Sequence, residues 1–249
     1  MLKTRVIPCL TIKDLRLVKR IRFSEHRNIG SYIAAARVFN ARDVDEMLVL
    51  DLDAEREGLH PKLIQDIAKE CFMPLTVGGG VKTLEDISLL LRLGADKVSI
   101  NSAAVLDPEL IKAASSQFGS QCVVVSIDAR LRSGGYEVFT HGGSRNTGLS
   151  PALWAKEAEI RGAGEIFLTS IDHDGCMDGY DLSLVKSVVE AVSLPVIASG
   201  GAGNEAHCTR VVKEGGASAV SAASIFQYTE ITPNMIKEEL AKSGVEVRL

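Results

Sequence analysis

The chain has 249 residues, of which 46% are hydrophobic and 24% charged, as in ordinary water-soluble globular proteins. Its formal net charge of −4 argues against a general nucleic-acid-binding protein, which needs an excess of lysine and arginine. No apolar run reaches the ~18 residues of a membrane-spanning helix, and the first five residues lead into a strand pattern and not into a signal peptide. We therefore expect a cytoplasmic protein with neither a membrane nor a nucleic-acid partner.

The cysteines and histidines, five of each, are scattered singly along the chain. No CxxC pair occurs, which is typical of a reduced, intracellular protein. No histidine pair has the spacing of a metal site such as HExxH. The sequence therefore predicts no metal and no cofactor.

Short runs rich in β-branched residues alternate with longer segments whose apolar residues recur at i, i+3 and i+4. The runs that predict strands are 5–10, 46–51, 75–77, 97–100, 123–128, 165–169, 195–198 and 219–222. Eight strands alternating with eight helices over residues 1–249 are typical of one α/β domain, a single (β/α)8 TIM barrel. A doubly wound sheet is the alternative, but its GxGxxG sequence after the first strand is absent.

The two halves of the chain repeat each other. The segment 77–81 is echoed by 199–203, and the segment 99–104 by 221–225, each about 120 residues later. This half-barrel duplication predicts two similar ligand sites on opposite sides of one barrel mouth.

Two glycine-rich loops, 78–80 and 200–203, each follow a predicted strand and precede a predicted helix. Glycine has no Cβ, so the backbone can turn tightly there and direct N–H groups at an anion. Asn101-Ser102 and Ala223-Ser224 would add amide and hydroxyl donors to each site. The pair of related loops predicts a ligand with a phosphate at each end. For either loop alone, the alternative is a tight turn without a ligand.

Catalytic groups of barrel enzymes lie at the carboxyl ends of the strands. Asp128 closes an apolar run and is the candidate acid/base, because partial burial would raise its pKa into a useful range. The first strand has Thr11 at the corresponding place, and threonine does not titrate near neutral pH. The first loop is basic, and Lys19 within it would either close over an anionic ligand or remain solvated.

The first residues of four predicted strands carry charges of alternating sign, namely Arg5, Glu46, Lys97 and Glu165. Strand starts meet at the bottom of a barrel, so these side chains could form a closed ring of salt bridges. Because the bottom face usually serves stability, the pattern by itself favours a stabilising network.

The chain resembles the cyclase subunit family of imidazole glycerol phosphate synthase over essentially its full length. The matching segments are 7–10, 76–80, 95–101, 118–121, 162–166, 169–175 and 198–203. The resemblance implies a (β/α)8 barrel that binds a glutaminase subunit at its bottom face as a heterodimer. Ammonia then crosses the barrel and reacts at the mouth with a bis-phosphorylated nucleotide-type small molecule.

The resemblance also implies roles for individual residues. It assigns Arg5, Glu46, Lys97 and Glu165 to an ammonia gate and Asp96 to the glutaminase interface, in place of a purely stabilising ring. It assigns one phosphate site to Gly80, Asn101 and Ser102, and the other to Gly201, Ala223 and Ser224.

The mouth departs from the family pattern. The positions of the family's two catalytic aspartates correspond here to Thr11 and Asp128, so one of the two is not an aspartate. We favour a paralogue that relays ammonia to a sugar amidotransferase in surface-polysaccharide synthesis. The alternative is a functional cyclase of histidine biosynthesis that manages with one carboxylate. The sister isomerase of that pathway is disfavoured, since it also uses an aspartate at the end of its first strand.

Overall fold

The computed structural model describes residues 3–24 and 26–249. The strands within them are β1 (Arg5–Lys13), β2 (Arg16–Arg20), β3 (His26–Gly30), β4 (Met47–Asp51), β5 (Leu75–Gly78), β6 (Lys97–Ile100), β7 (Val123–Arg132), β8 (Gly135–Thr140), β9 (Arg145–Asn146), β10 (Glu165–Ser170), β11 (Val196–Ser199) and β12 (Ala219–Ala222).

The helices begin and end close to the apolar periodicity of the sequence. They are α1 (Tyr32–Ala41), α2 (Ala54–Glu57), α3 (Pro61–Ala68), α4 (Leu84–Arg92), α5 (Ser102–Leu106), α6 (Glu109–Phe118), α7 (Pro151–Ile160), α8 (Leu182–Val189), α9 (Glu205–Lys213), α10 (Ile225–Tyr228) and α11 (Pro233–Lys242). No helix within the described ranges is long and apolar enough to cross a lipid bilayer.

Eight strands form a closed parallel barrel in the order β1-β4-β5-β6-β7-β10-β11-β12. The ring closes because β12 pairs in parallel with β1, and β7 pairs in parallel with β10. These are the eight strands that the sequence predicts. The (β/α)8 barrel is therefore confirmed, and the doubly wound sheet is wrong.

Residues along each barrel strand point alternately inward and outward. On β1, Val6 and Leu10 pack outward against the helices, whereas Ile7 and Cys9 face the interior. The apolar interior layer consists of Ile7, Cys9, Leu48, Val124, Phe167, Ile197 and Ala219. This period of two gives the barrel an apolar interior between a charged bottom and a polar mouth.

Helix α4 illustrates how the sequence places a loop at the mouth. The Thr83 hydroxyl accepts the backbone N–H of Asp86 at 3.1 Å, and the Asp86 carboxylate accepts the backbone N–H of Thr83 at 3.0 Å. This capping box begins the helix, and Ile87 and Leu90 anchor it to the barrel. The glycine-rich loop between β5 and α4 is thus held at both ends.

The mouth differs from the sequence prediction in one respect: the first and fifth barrel strands continue as hairpins. Strand β1 extends past Thr11 to Lys13 and turns into β2 through Asp14 and Leu15, whose φ angles are 50° and 52°. Both turn residues are left-handed, as in the two-residue hairpin turn whose twist matches the strands. Lys19, expected in a loop, lies instead on β2 and is only 5% exposed.

Candidate active site

One cavity occupies the barrel mouth and is lined by residues from all eight barrel strands or the loops that follow them. It contains every residue predicted from the sequence for the mouth, namely Thr11, Lys19, Gly80, Asn101, Ser102, Asp128, Gly201, Ala223 and Ser224. The cavity is also lined by the ionisable residues Cys9, Arg20, Asp51, Glu55 and Asp174. The loops after β5 and β6 and the loops after β11 and β12 form opposite walls.

Asp128 lies on β7 and is 8% exposed. Burial raises the pKa of Asp128 from 3.8 to about 6, although the charge of Arg20 and the hydrogen bond from Asn101 act in the opposite direction. Asn101 donates that bond from Nδ2 to the carboxylate Oδ2 at 2.7 Å. A carboxyl that titrates this close to neutral pH can both donate and accept a proton.

Thr11 lies on β1. In the ring of eight barrel strands, β1 is three strands from β6 and directly opposite β7. Its backbone is paired in register with Leu50 on β4, and its side chain lines the cavity. A hydroxyl at this place can donate or accept a hydrogen bond but cannot act as a carboxylate. The mouth therefore has an acid/base group on the β7 side without an acidic counterpart on β1.

Two further carboxylates face the cavity, and the sequence reading did not assign either of them a catalytic role. Asp51, at the end of β4, accepts a hydrogen bond from the backbone N–H of Asp53 and contacts His60 Nδ1 at 2.7 Å. The hydrogen bond with Asp51 raises the pKa of His60. Asp174 has its pKa raised by burial, against the charges of Arg20 and Lys19.

The feature of the sequence that indicates these two carboxylates is their position at or just after the end of a barrel strand. Asp51 is the last residue of its strand and Asp174 lies in the loop after β10. The pairing of Asp51 with His60 could not be read from the sequence, because it depends on how the chain turns before α3.

The two predicted phosphate loops have glycine where the chain passes close to a neighbouring loop. A Cβ on Gly80 would lie 2.3 Å from the carbonyl oxygen of Ala54, and one on Gly201 would lie 2.0 Å from that of Gly179. Both glycines also have positive φ angles, of 64° and 110°. Close packing is thus sufficient to require glycine in each loop, and it leaves the backbone on the other side open to the cavity.

The polar partners of the first phosphate loop are partly engaged within the protein. The Asn101 side-chain amide donates a hydrogen bond to Asp128, and the Asn101 Oδ1 is buried without a hydrogen-bond partner among the described residues. The Ser102 hydroxyl accepts the backbone N–H of His141 at 3.0 Å. Asn101 therefore connects the predicted phosphate site directly to the predicted acid/base residue.

The β2–β3 hairpin lies across the mouth and contacts the loop after β10. The backbone N–H of Arg22 donates to the carbonyl of Asp174 at 2.8 Å, and Arg22 Nε donates to that of Asp172 at 3.0 Å. The Arg20 guanidinium stacks 3.7 Å from the centre of the Phe23 ring. These contacts hold Lys19 and Arg20 over the cavity.

At the opposite end of the barrel, four side chains form a closed charged ring, namely Arg5, Glu46, Lys97 and Glu165. Arg5 contacts Glu46 at 2.6 Å and Glu165 at 2.7 Å, and Lys97 contacts each of the same carboxylates at 2.9 Å. Burial alone would lower the pKa of Arg5, but the two carboxylates raise it. The charged ring lies directly below the apolar interior layer.

Asp96 stands beside this ring at the bottom face. It is exposed, and its Oδ2 accepts the backbone N–H of Leu75 at 2.8 Å. Phe72, in the loop before β5, has 86% of its surface exposed.

No group of three or more histidine, cysteine or acidic residues with the arrangement of a metal site is present in ranges 3–24 and 26–249. The cysteines are all free thiols.

The chain matches known proteins over nearly its whole length. The histidine biosynthesis protein family matches residues 5–232. The imidazole glycerol phosphate synthase subunit HisF of Hyphomonas neptunium (strain ATCC 15444) is 52% identical over 250 residues, which cover 100% of this chain and 99% of the relative. This chain therefore belongs to the histidine biosynthesis protein family, within the family of the cyclase subunit of imidazole glycerol phosphate synthase.

Proposed function

We propose that the chain is the barrel subunit of a glutamine-dependent synthase. Ammonia enters through the charged ring, crosses the apolar interior and reaches the mouth, from which it passes to an acceptor. The observation that carries this proposal is the alignment of the three layers along one barrel axis, with the charged ring below, the apolar layer between and the polar cavity above.

The apolar layer supports passage of ammonia in its neutral form. Moving an ammonium ion into surroundings such as Phe167, Leu48 and Ile7 would cost several kcal/mol of lost hydration, whereas neutral ammonia loses only hydrogen bonds. The charged ring closes the entrance with four ion pairs. Opening requires that at least one of them separate, which the binding of a partner at the bottom face would favour.

The partner at that face is a glutaminase subunit in this proposal. The exposed Phe72 and the exposed carboxylate of Asp96 lie at the same end of the barrel as the charged ring. Aromatic side chains are enriched at protein–protein interfaces, whose rims are polar, so Phe72 and Asp96 are candidates for the centre and the rim of this interface. The relative from Hyphomonas neptunium is itself named as a synthase subunit.

The acceptor in this proposal is a sugar amidotransferase of surface-polysaccharide synthesis. The supporting observation is Thr11, which leaves Asp128 without a titrating counterpart on β1. Removing one of two acid/base groups typically lowers a rate by ~10²–10⁴-fold. A barrel that only relays ammonia has no need of the missing aspartate.

The second candidate is a cyclase of histidine biosynthesis that works with Asp128 alone or with another carboxylate in the place of the missing one. The 52% identity to a synthase subunit over the whole chain favours this candidate. Both predicted phosphate loops also line the cavity, as the binding of a ligand with two phosphates would require.

A steady-state assay with the ribulosyl bis-phosphate nucleotide and excess ammonium distinguishes the two. Ammonium bypasses the glutaminase, so only the mouth chemistry is measured. Under the relay proposal we expect no turnover by the parent protein and little or none by a Thr11→Asp variant; an impaired cyclase should instead gain activity from Thr11→Asp. Turnover by the parent that is lost in Asp128→Asn would establish the cyclase and refute the relay.

A further inference from the structure

We propose that Lys19 is a nucleophilic amine that forms a Schiff base with a phosphorylated ketone or aldehyde bound in the mouth. This inference rests on the second candidate function above, in which the mouth itself joins ammonia to a phosphorylated carbonyl compound. It begins from a contrast among three lysines that are largely shielded from water.

Lys97 and Lys237 both have carboxylate partners. Lys97 contacts two carboxylates of the charged ring at 2.9 Å, and Lys237, which is 3% exposed, contacts Asp45 at 2.9 Å. Lys19 is 5% exposed, yet among the described residues no carboxylate oxygen lies within the 4.0 Å of an ion pair. A buried lysine without an ion-pair partner is favoured in its neutral form, which is the nucleophilic form.

Lys19 is shielded from bulk water and borders the mouth cavity. It lies on β2 and is among the residues that line the mouth. Burial lowers the pKa of Lys19 and the charge of Arg20 adds to the lowering, while Cys9 and Asp174 act in the opposite direction. These three residues, from β1, the loop after β10 and β2, are the charged or titratable groups that act on it.

The place of the amine fits a reaction with both a carbonyl and ammonia. Cys9 belongs to the apolar interior layer and also lines the mouth cavity, so Lys19 stands near the point where the interior opens into the mouth. The predicted phosphate loops flank the same cavity. A ligand held there by phosphate groups would present its carbon chain to this part of the mouth.

The chemistry balances without another reagent. The Lys19 amine adds to the carbonyl carbon, and the resulting carbinolamine loses water to give an imine. In this proposal Asp174 supplies the proton that the departing hydroxyl needs, since it lines the same cavity and burial raises its pKa. Ammonia then adds to the same carbon, the Lys19 amine leaves, and the acceptor keeps the imine nitrogen.

The test is reductive trapping on the intact chain. The protein is treated with dihydroxyacetone phosphate and cyanoborohydride at pH 7.5, and the modified lysines are identified by peptide mass spectrometry. We expect Lys19 to be labelled faster than Lys62, because burial lowers the pKa of Lys19 and so raises the fraction of its amine that is neutral. Lys62 is an exposed lysine paired with Asp66, and Lys97 is the shielded, ion-paired control.

Two further arms test the site itself. Excess inorganic phosphate should slow the labelling of Lys19 but not that of Lys62, and dihydroxyacetone without phosphate should not select Lys19. A Lys19→Arg variant, which keeps a positive charge and cannot form an imine, should lose the selective adduct. Labelling that follows solvent exposure, or an absence of adduct at Lys19, would overturn the proposal without any variant being needed.

The result of this trapping experiment can be distinguished from the result of the ammonium assay. A selective adduct at Lys19 supports the amine whichever acceptor the synthase uses. Ammonium-dependent turnover that survives in Lys19→Arg would overturn the Schiff base and leave the ammonia-using function in place.

Discussion

Replacing Asp128 with asparagine should stabilise the protein while removing its acid/base group. The folded carboxyl has a pKa of about 6 against an ordinary value of 3.8, a difference of about two units. At 1.36 kcal/mol per unit, the ionised Asp128 costs the fold up to about 3 kcal/mol. Asparagine has the same shape, and its carbonyl oxygen can still accept the hydrogen bond that Asn101 donates.

The sign follows from proton counting. Between pH 4 and pH 6 the folded protein holds a proton on Asp128 that the unfolded chain has already lost. The parent therefore loses stability as the pH rises through this window, and the full cost is present above about pH 7. The Asp128→Asn variant lacks this loss, so the two proteins should converge toward pH 4 and differ most at pH 8.

Urea unfolding at pH 8 and pH 5, at constant ionic strength, measures the difference. At pH 8 we expect the variant to be more stable by up to about 3 kcal/mol, or about 6–12 °C in Tm for a chain of this size. Glu238→Gln, at an exposed position on α11, is the matched control and should change stability by less than about 0.5 kcal/mol. An equal or lower stability of Asp128→Asn at pH 8 would refute the claim that this carboxylate is strained by burial.

Two other predictions concern the phosphate loop and the charged ring. Gly201→Ala should destabilise the protein by more than about 3 kcal/mol in urea unfolding, because its Cβ would meet the Gly179 carbonyl at 2.0 Å. Its control is Gly30→Ala, at a φ of 131° with nothing within 4 Å, which tests backbone strain alone and should lower the free energy of unfolding by about 1 kcal/mol. Lys97→Met should lower the free energy of unfolding by about 3–5 kcal/mol, because the shielded carboxylates of Glu46 and Glu165 each lose an ion-pair partner. Lys62→Met removes an exposed ion pair and should lower it by less than about 1 kcal/mol. Equal effects of the two members of either pair would contradict the corresponding account.

The alternation of the sequence was sufficient to predict the barrel and the position of its mouth. Parallel barrel strands are buried on both faces, so they appear as short apolar runs that a single sequence reveals. Asp128 and Thr11 could be placed at the mouth because each follows such a run. The alternating charges of Arg5, Glu46, Lys97 and Glu165 likewise indicated a ring, whose four contacts the structure then supplied.

The sequence was less informative about where the strands end. The run 16–20 contains two apolar residues among three basic ones, which resembles a solvated loop. It becomes strand β2 because β1 continues past the barrel and offers an unpaired edge. Farther along β2, Lys19 pairs with Arg27 on β3 and is buried, whereas in an isolated loop it would remain in water.

What the sequence determined by itself is therefore the set of repeating local units: the eight strands, the helices between them and the two glycine-rich loops. Each of these units depends on residues that are neighbours along the chain, so the periodicity of apolar residues in the sequence reveals it directly. Only the tertiary structure decided which ionisable groups share an environment. Lys19 near Cys9 and Asp174, His60 against Asp51, and Asn101 on Asp128 join residues far apart in the chain or across a turn, where burial and charge act through space.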